Sequence, residues 1–119
     1  MIFIFLSSVN IVVTTKMYGY EVSWQLIRKD NKAVACSNGH YASDTTVSET
    51  CQLEKNVEYE LVCEDEWGDG WNGGYIEIAG VKWCDTFLPD SPKVCEEYYS
   101  YGCNTQMSIK YFKVQGTIF

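Results

Sequence analysis

The stretch Glu21-Val22-Ser23-Trp24-Gln25-Leu26-Ile27 alternates polar and apolar side chains at successive positions. Because neighbouring side chains of a β-strand point to opposite faces, this alternation predicts a strand. Val22, Trp24 and Leu26 would face a core, and the intervening side chains, Glu21 among them, would face solvent. The aromatic and β-branched residues of the stretch favour a strand over a helix as well.

The same period of two recurs on both sides of that stretch. It predicts about eight short strands and one segment, Ser91–Tyr99, that could hold a helical turn. A run of turn formers, Ser37–His40, is expected to end the third strand. Short strands at this spacing predict an all-β fold, a disulfide-stapled antiparallel β-sandwich of the jelly-roll or CUB-like type. The predicted strands are residues 9–15, 21–27, 32–36, 45–53, 57–64, 75–79, 81–84 and 106–114.

The length of 119 residues suits one domain and leaves no room for a second, cofactor-binding one. We expect a single β-sandwich domain over residues 9–119. Residues 1–8 begin with the apolar run Met1–Leu6 and are either the remnant of a signal sequence or an extra N-terminal strand. The apolar stretch to Val13 is too short and too polar for a transmembrane span.

The net charge of −7 is concentrated in one part of the chain. Residues 56–81 contain seven acids and no Lys or Arg, whereas the rest of the chain has nine acids and nine bases. A chain this acidic is a poor partner for nucleic acid, whose phosphates need clustered Lys and Arg. The acid-only window is therefore where a charge-dependent function is expected.

The six cysteines indicate an oxidising compartment, so the chain is expected to be extracellular or at the cell surface. No CxxC pair occurs, and His40 is the sole histidine, which argues against a zinc site. Cys36 with Cys51, and Cys95 with Cys103, are plausible disulfide pairs. The six predicted disulfide residues are Cys36, Cys51, Cys63, Cys84, Cys95 and Cys103.

The segment from Glu64 to Gly74 is the part of the sequence richest in candidate functional residues. Four glycines within seven residues let the backbone turn tightly, so that carboxylates and carbonyls can converge on a Ca²⁺ ion. An EF-hand is excluded, because a loop counted from Asp65 would have Trp67 and Ile76 at ligand positions, and neither side chain can bind Ca²⁺. The alternative is that the loop acids cap backbone N–H groups. The predicted calcium ligands are Asp65, Asp69, Asn72 and Glu21.

The motifs Tyr18–Leu26, Ser48–Leu53 and Asp65–Gly73, in this order, resemble those of a family of secreted β-sandwich modules. These modules occur in extracellular proteins of protists, algae and bacteria and carry "ETSW"-like and "DSYGDGWNG"-like motifs. The arrangement is also loosely similar to CUB modules, in which acids from two loops hold Ca²⁺. The resemblance implies a secreted sandwich and places Glu21 at the family's "ETSW" glutamate. The chain departs from the family at Lys16, where an acid is usual, and at Val22, which replaces Thr.

Three classes of function remain open. The first is a non-enzymatic structural or interaction module that binds copies of itself or other surface proteins, for example as the protomer of a fibre. In that case the strand from Ile2 to Val13 would either join a neighbour's sheet or pair within its own sandwich. The third class, an enzyme, is not expected. Glu64 or Glu66 with Asp69 are only nominal acids, and there is no catalytic-residue signature near His40.

The second class is a lectin-like carbohydrate-binding module. Trp67, Trp71 and Tyr75 lie in or beside the candidate calcium loop, with Trp83 nearby, and aromatic faces beside polar groups suit sugar stacking. The alternative for the two loop tryptophans is packing over the edge of the sandwich. Packing is also the favoured interpretation of a second aromatic cluster, formed by Tyr98, Tyr99 and Tyr101.

Overall fold

In the part of the chain that the structure describes, eight antiparallel strands build two four-stranded sheets, so the predicted all-β sandwich is confirmed. The structure is a computed structural model that describes residues 6–66, 70–85 and the backbone of 106–113. The strands are β1 Leu6–Thr14, β2 Val22–Arg28, β3 Val34–Gly39, β4 Thr46–Glu54, β5 Glu58–Asp65, β6 Tyr75–Ile78, β7 Val81–Trp83 and β8 Gln106–Lys113.

One sheet has the strand order β4-β1-β6-β7 and the other has β3-β2-β5-β8. A single 3₁₀ turn, Gly19–Glu21, precedes β2. The two sheets bury their inner faces against each other in one hydrophobic core that draws on β1, β2, β4, β5 and β6. The inward positions predicted for β2 are confirmed, because Val22, Trp24 and Leu26 are all buried.

The third strand differs from the prediction. It continues through Ser37 and Asn38 to Gly39, and these residues pair with β2. Pairing with β2 overrides the turn-forming composition of these residues. The two strands approach so closely that a Cβ atom added to Gly39 would lie 2.6 Å from the Cβ of Ser23. The predicted helical turn in Ser91–Tyr99 lies outside the described residues.

The N-terminal strand lies inside the sheet. β1 pairs with β4 from Leu6 to Thr14 and with β6 from Ile11 to Thr14. The predicted domain boundary at residue 8 therefore falls within β1, while residues 1–5 lie outside the described part of the chain. Among the described strands, Ile11–Thr14 are therefore paired on both sides, whereas Leu6–Asn10 pair with β4 on one side.

Two disulfides link the sheets. Cys36–Cys51, the predicted pair, joins β3 to β4, which are edge strands of opposite sheets. Cys63–Cys84 joins β5 to the residue that follows β7. The predicted pair Cys95–Cys103 lies outside the described residues. Each observed bridge therefore fixes one sheet to the other, where hydrogen bonding between strands cannot.

Candidate functional site

The candidate site lies at the end of the sandwich where β2 begins and β5 ends. Val22 and Asp65 are register partners in that pair of strands, and the N–H of Glu66 donates to the carbonyl of Glu21 over 3.3 Å. The antiparallel register thus brings together two acids that are far apart in sequence, Glu21 and Asp65.

Both acids are buried, with Glu21 3% exposed and Asp65 fully enclosed. The prediction that Glu21 faces solvent is wrong. This residue ends the 3₁₀ turn before β2 begins, so the alternation of the strand does not determine its direction. Burying a carboxylate costs free energy unless hydrogen bonds or an opposite charge offset it. The burial of two carboxylates, that of Asp65 and that of the residue next to its register partner Val22, is therefore the main electrostatic feature of the described part of this end.

The described part of the glycine-rich loop, residues 70–74, folds back onto the end of β5. The N–H of Gly70 donates to Oδ2 of Asp65, and the indole Nε1 of Trp71 donates to the carbonyl of Glu64 over 2.9 Å. Asn72 and Gly73 adopt positive φ, which closes the turn. Asp65 thus makes the capping bond expected under the alternative to calcium.

Two predicted calcium ligands remain to be placed. Asn72 is half-buried on the loop, and its Nδ2 lies 3.5 Å from the carbonyl oxygen of Gly70. Asp69 lies outside the described residues, as does Trp67. Within residues 6–66 and 70–85, no three His, Cys, Asp or Glu side chains form a metal-binding group. The described part of the site therefore contributes Glu21 and Asp65 as its carboxylates.

The loop also contacts the end of β1. A Cβ on Gly74 would lie 2.7 Å from the carbonyl oxygen of Thr14, so only glycine allows this approach. A Cβ on Gly73 would lie 3.4 Å from Cγ of Lys16. Lys16, which departs from the family pattern, therefore runs its aliphatic stem past the loop. The loop is held between β1 and the end of β5.

The predicted aromatic ligands do not form a common stacking surface among the described residues. Trp71 is 3% exposed and belongs to the core, where a sugar could not reach its ring. Tyr75 has the Nζ of Lys82 4.0 Å from its ring centroid, so one face is covered by a cation. Trp83 is half-buried against the core. The tyrosines at 98, 99 and 101 lie outside the described residues.

His40 is on the surface beside this end. Its Nδ1 lies 2.8 Å from the carbonyl oxygen of Tyr20 and 3.6 Å from Oε1 of Glu66. Glu66 is itself exposed, so the pair of His40 and Glu66 lies at the surface of this end.

One exposed feature was not predicted from the sequence. Met17, Tyr18 and Tyr20, in the connection between β1 and β2, carry their side chains outward at the same end. Tyr18 and Tyr20 belong to the motif Tyr18–Leu26, which by itself does not indicate that their rings are exposed. The available signal was a glycine between two tyrosines, which indicates a tight turn that leaves both rings outside.

No family model matches the chain, and comparison with curated proteins and with solved structures finds no match either. A search of the described residues finds no helix long and apolar enough to cross a membrane. The function is therefore inferred from the residues and the geometry of the site.

Proposed function

We propose that this chain is a non-enzymatic extracellular structural or interaction module, one of the secreted β-sandwich modules that it resembles, with a Ca²⁺-stabilised loop end. The observation that carries the proposal is the burial of Glu21 and Asp65 at one end of the β2–β5 pair, where Gly70 of the glycine-rich loop hydrogen-bonds to Asp65. Burial of like charges is unfavourable in a low-dielectric interior, and a divalent cation would offset it.

The donor set fits calcium by its chemistry. Ca²⁺ takes six to eight oxygens and tolerates irregular geometry, which suits carboxylates and carbonyls on a loop with several positive-φ residues. Glu21, Asp65 and Asn72 would supply side-chain oxygens, and Asp69 would be the further carboxylate. The ion would tie the start of β2 to the end of β5 and hold the loop in place.

The two inter-sheet disulfides support the extracellular part of the proposal, because such bonds persist in oxidising compartments. As a structural module, the chain would bind copies of itself or other surface proteins through an outer strand. The edge strand β3, Val34–Gly39, contains no charged residue and no proline, the usual protection against edge-to-edge pairing.

The calcium part is tested by thermal and urea unfolding in CaCl₂, in MgCl₂ and after EDTA. We expect calcium at 100 times its Kd to stabilise the wild type by about 2.7 kcal/mol, and magnesium to stabilise it much less. Glu21→Gln and Asp65→Asn should abolish the response. Asp44→Asn is the matched control, because Asp44 is an exposed acid on the neighbouring segment.

A wild type whose unfolding is identical in calcium and in EDTA would remove the ion from the proposal. A calcium response that survives both Glu21→Gln and Asp65→Asn would place the ion elsewhere. Isothermal titration on the same variants separates loss of binding from loss of fold.

The assembly part is tested separately, by sedimentation velocity and negative-stain microscopy. Ser37→Lys places a charge on the exposed face of β3, and Asn31→Lys places the same charge in the preceding turn. We expect concentration-dependent association of the wild type and of Asn31→Lys, and monomers for Ser37→Lys. A wild type that stays monomeric at all concentrations would contradict the fibre.

A further inference from the structure

The connection between β1 and β2 exposes three large apolar side chains within four residues. Met17 is 61% exposed, Tyr18 45% and Tyr20 52%. Single exposed hydrophobic residues are common on proteins, but a contiguous group marks a binding surface more often. Residues 17–20 are named here the tyrosine loop.

The tyrosine loop is held rigidly although its side chains point to solvent. Hydrogen bonds fix its backbone, most of them to the neighbouring segment of residues 41–44. At the start of the loop, Asp44 N donates to Lys16 O (2.8 Å). At Gly19, the backbone N–H donates to Ser43 Oγ (3.2 Å) and the carbonyl accepts from Tyr41 N (3.2 Å). At the end of the loop, Glu21 N donates to Tyr18 O (3.0 Å). Such a preorganised surface loses little entropy when it binds.

Tyr18 sits in the left-handed region, at φ 60° and ψ 40°. For a residue with a bulky side chain this conformation costs about 1–2 kcal/mol. Gly19 explains how the strain is imposed, since its hypothetical Cβ would lie 2.4 Å from the carbonyl oxygen of Ala42. The exposed ring of Tyr18 recovers little of this cost by burial. The conformation of Tyr18 is therefore held by the surrounding backbone and not by burial of its own ring.

The two tyrosine rings are arranged edge to face, with centroids 6.2 Å apart and planes at 84°. This contact fixes the rings relative to each other. We infer that the tyrosine loop binds a neutral oligosaccharide, with the C–H face of a sugar ring on an aromatic face and its hydroxyls bonded to the phenols and nearby polar groups. The site differs from the predicted one at Trp67, Trp71 and Tyr75.

Size and charge favour this occupant over two others. A stable protein interface buries about 800 Å² on each partner, far more than three side chains can offer, whereas a sugar ring needs one or two aromatic faces. An anionic membrane would be repelled by a chain of net charge −7. The charged side chains around the loop are of mixed sign, Lys16 with Asp44 and Glu66, which suits a neutral ligand.

The test uses a glycan array of neutral cello-, chito-, manno- and xylo-oligosaccharides, probed with the whole chain in CaCl₂ and in EDTA. Oligosaccharides that bind are then titrated against protein labelled with ¹³C at the methionine methyls, where the Met17 signal reports the loop. We expect Tyr18→Asn and Tyr20→Ala each to weaken binding about tenfold or more. Asparagine tolerates the left-handed conformation, so Tyr18→Asn should retain the fold.

Val81→Ser is the control, because it removes an equally exposed apolar side chain from β7 and should bind like the wild type. Absence of binding to every oligosaccharide, in both conditions, would overturn the inference. So would binding that neither tyrosine variant weakens.

Two further assays test the rejected occupants. Tyr18-dependent binding to vesicles of phosphatidylcholine with phosphatidylserine, without glycan binding, would identify a membrane loop and overturn the inference. Tyr18-dependent self-association without glycan binding would identify a protein contact and overturn it too. The tyrosine loop is fixed by protein hydrogen bonds, so glycan binding is expected in EDTA as well. A failure of the calcium proposal can therefore be distinguished from a failure of this inference.

Discussion

Removal of the Cys63–Cys84 bridge should loosen the candidate site as well as the fold. This bridge closes the segment of residues 64–83, which contains the glycine-rich loop together with β6 and β7. Cys36–Cys51 closes the segment of residues 37–50, between β3 and β4, which does not include that loop. The double substitutions Cys63→Ala/Cys84→Ala and Cys36→Ala/Cys51→Ala therefore form a matched pair.

The magnitude follows from the length of chain that each bridge closes. A sequence separation of 21 residues corresponds to about 3.3 kcal/mol of lost chain entropy in the unfolded state, and a separation of 15 to about 3.0 kcal/mol. Cys63 and Cys84 are both buried, so loss of their sulfurs adds roughly 1 kcal/mol of cavity cost. Cys36 is only partly buried, so its pair should lose slightly less.

Urea unfolding at 25 °C measures both losses, and mass spectrometry of non-reduced peptides checks that the remaining cysteines keep their partners. We expect about 4 kcal/mol for Cys63→Ala/Cys84→Ala and about 3 kcal/mol for Cys36→Ala/Cys51→Ala. The calcium response should weaken mainly in the first variant, because only that bridge encloses the loop. Equal calcium responses in both variants, or a clearly smaller loss for Cys63→Ala/Cys84→Ala, would refute this reasoning.

Three other changes test the packing and the charges. Gly19→Ala should destabilise by about 2 kcal/mol or more in urea unfolding, because its Cβ would meet the backbone of residue 42; equal costs for Gly19→Ala and for Gly80→Ala, where φ is positive but the space is open, would contradict this. Tyr41→Phe should cost about 1–3 kcal/mol, since the buried Trp24 Nε1 donates to the Tyr41 hydroxyl over 2.8 Å. Burial raises the pKa of Tyr41, so wild-type stability should fall above about pH 10, and the variant should lack that part of the fall; identical alkaline profiles would argue against it. The paired hydrogen bonds from Arg28 hold the pKa of Asp30 below its usual range, so the stability they provide is present above about pH 4 and is lost as the pH falls through the lowered value. In an NMR titration Arg28→Met should raise the Asp30 pKa toward normal, and an unchanged value would contradict the pairing.

The strands could be predicted because alternation is a local signal. The core positions of β2 follow from the spacing of Val22, Trp24 and Leu26 alone, and the pairing of Cys36 with Cys51 follows from their places on neighbouring predicted strands. The extension of β3 to Gly39 could not be predicted in this way, because it depends on close packing against Ser23.

The candidate site was only partly predictable. Asp65 and Glu21 were expected to act together, but the depth at which both are buried depends on the register of β2 against β5 and on the 3₁₀ turn. The burial of Trp71 likewise depends on its bond to the carbonyl of Glu64, a contact that the composition of the loop does not encode. Interactions between distant segments decide each of these features.

The turn Gly19–Glu21 links the two proposed sites physically. It directs Tyr20 outward and Glu21 inward, so a ligand at one residue acts on the backbone of the other. A cation that holds Glu21 would restrain the turn and with it the exposed tyrosines, and a sugar that holds Tyr20 would in return restrain Glu21. Because such coupling is reciprocal, calcium should tighten glycan binding by the same factor by which glycan tightens calcium binding. Two titrations, each in the absence and in the presence of the other ligand, measure this factor twice; a factor above one in both would show the coupling, and a factor of one would show that the two sites are independent.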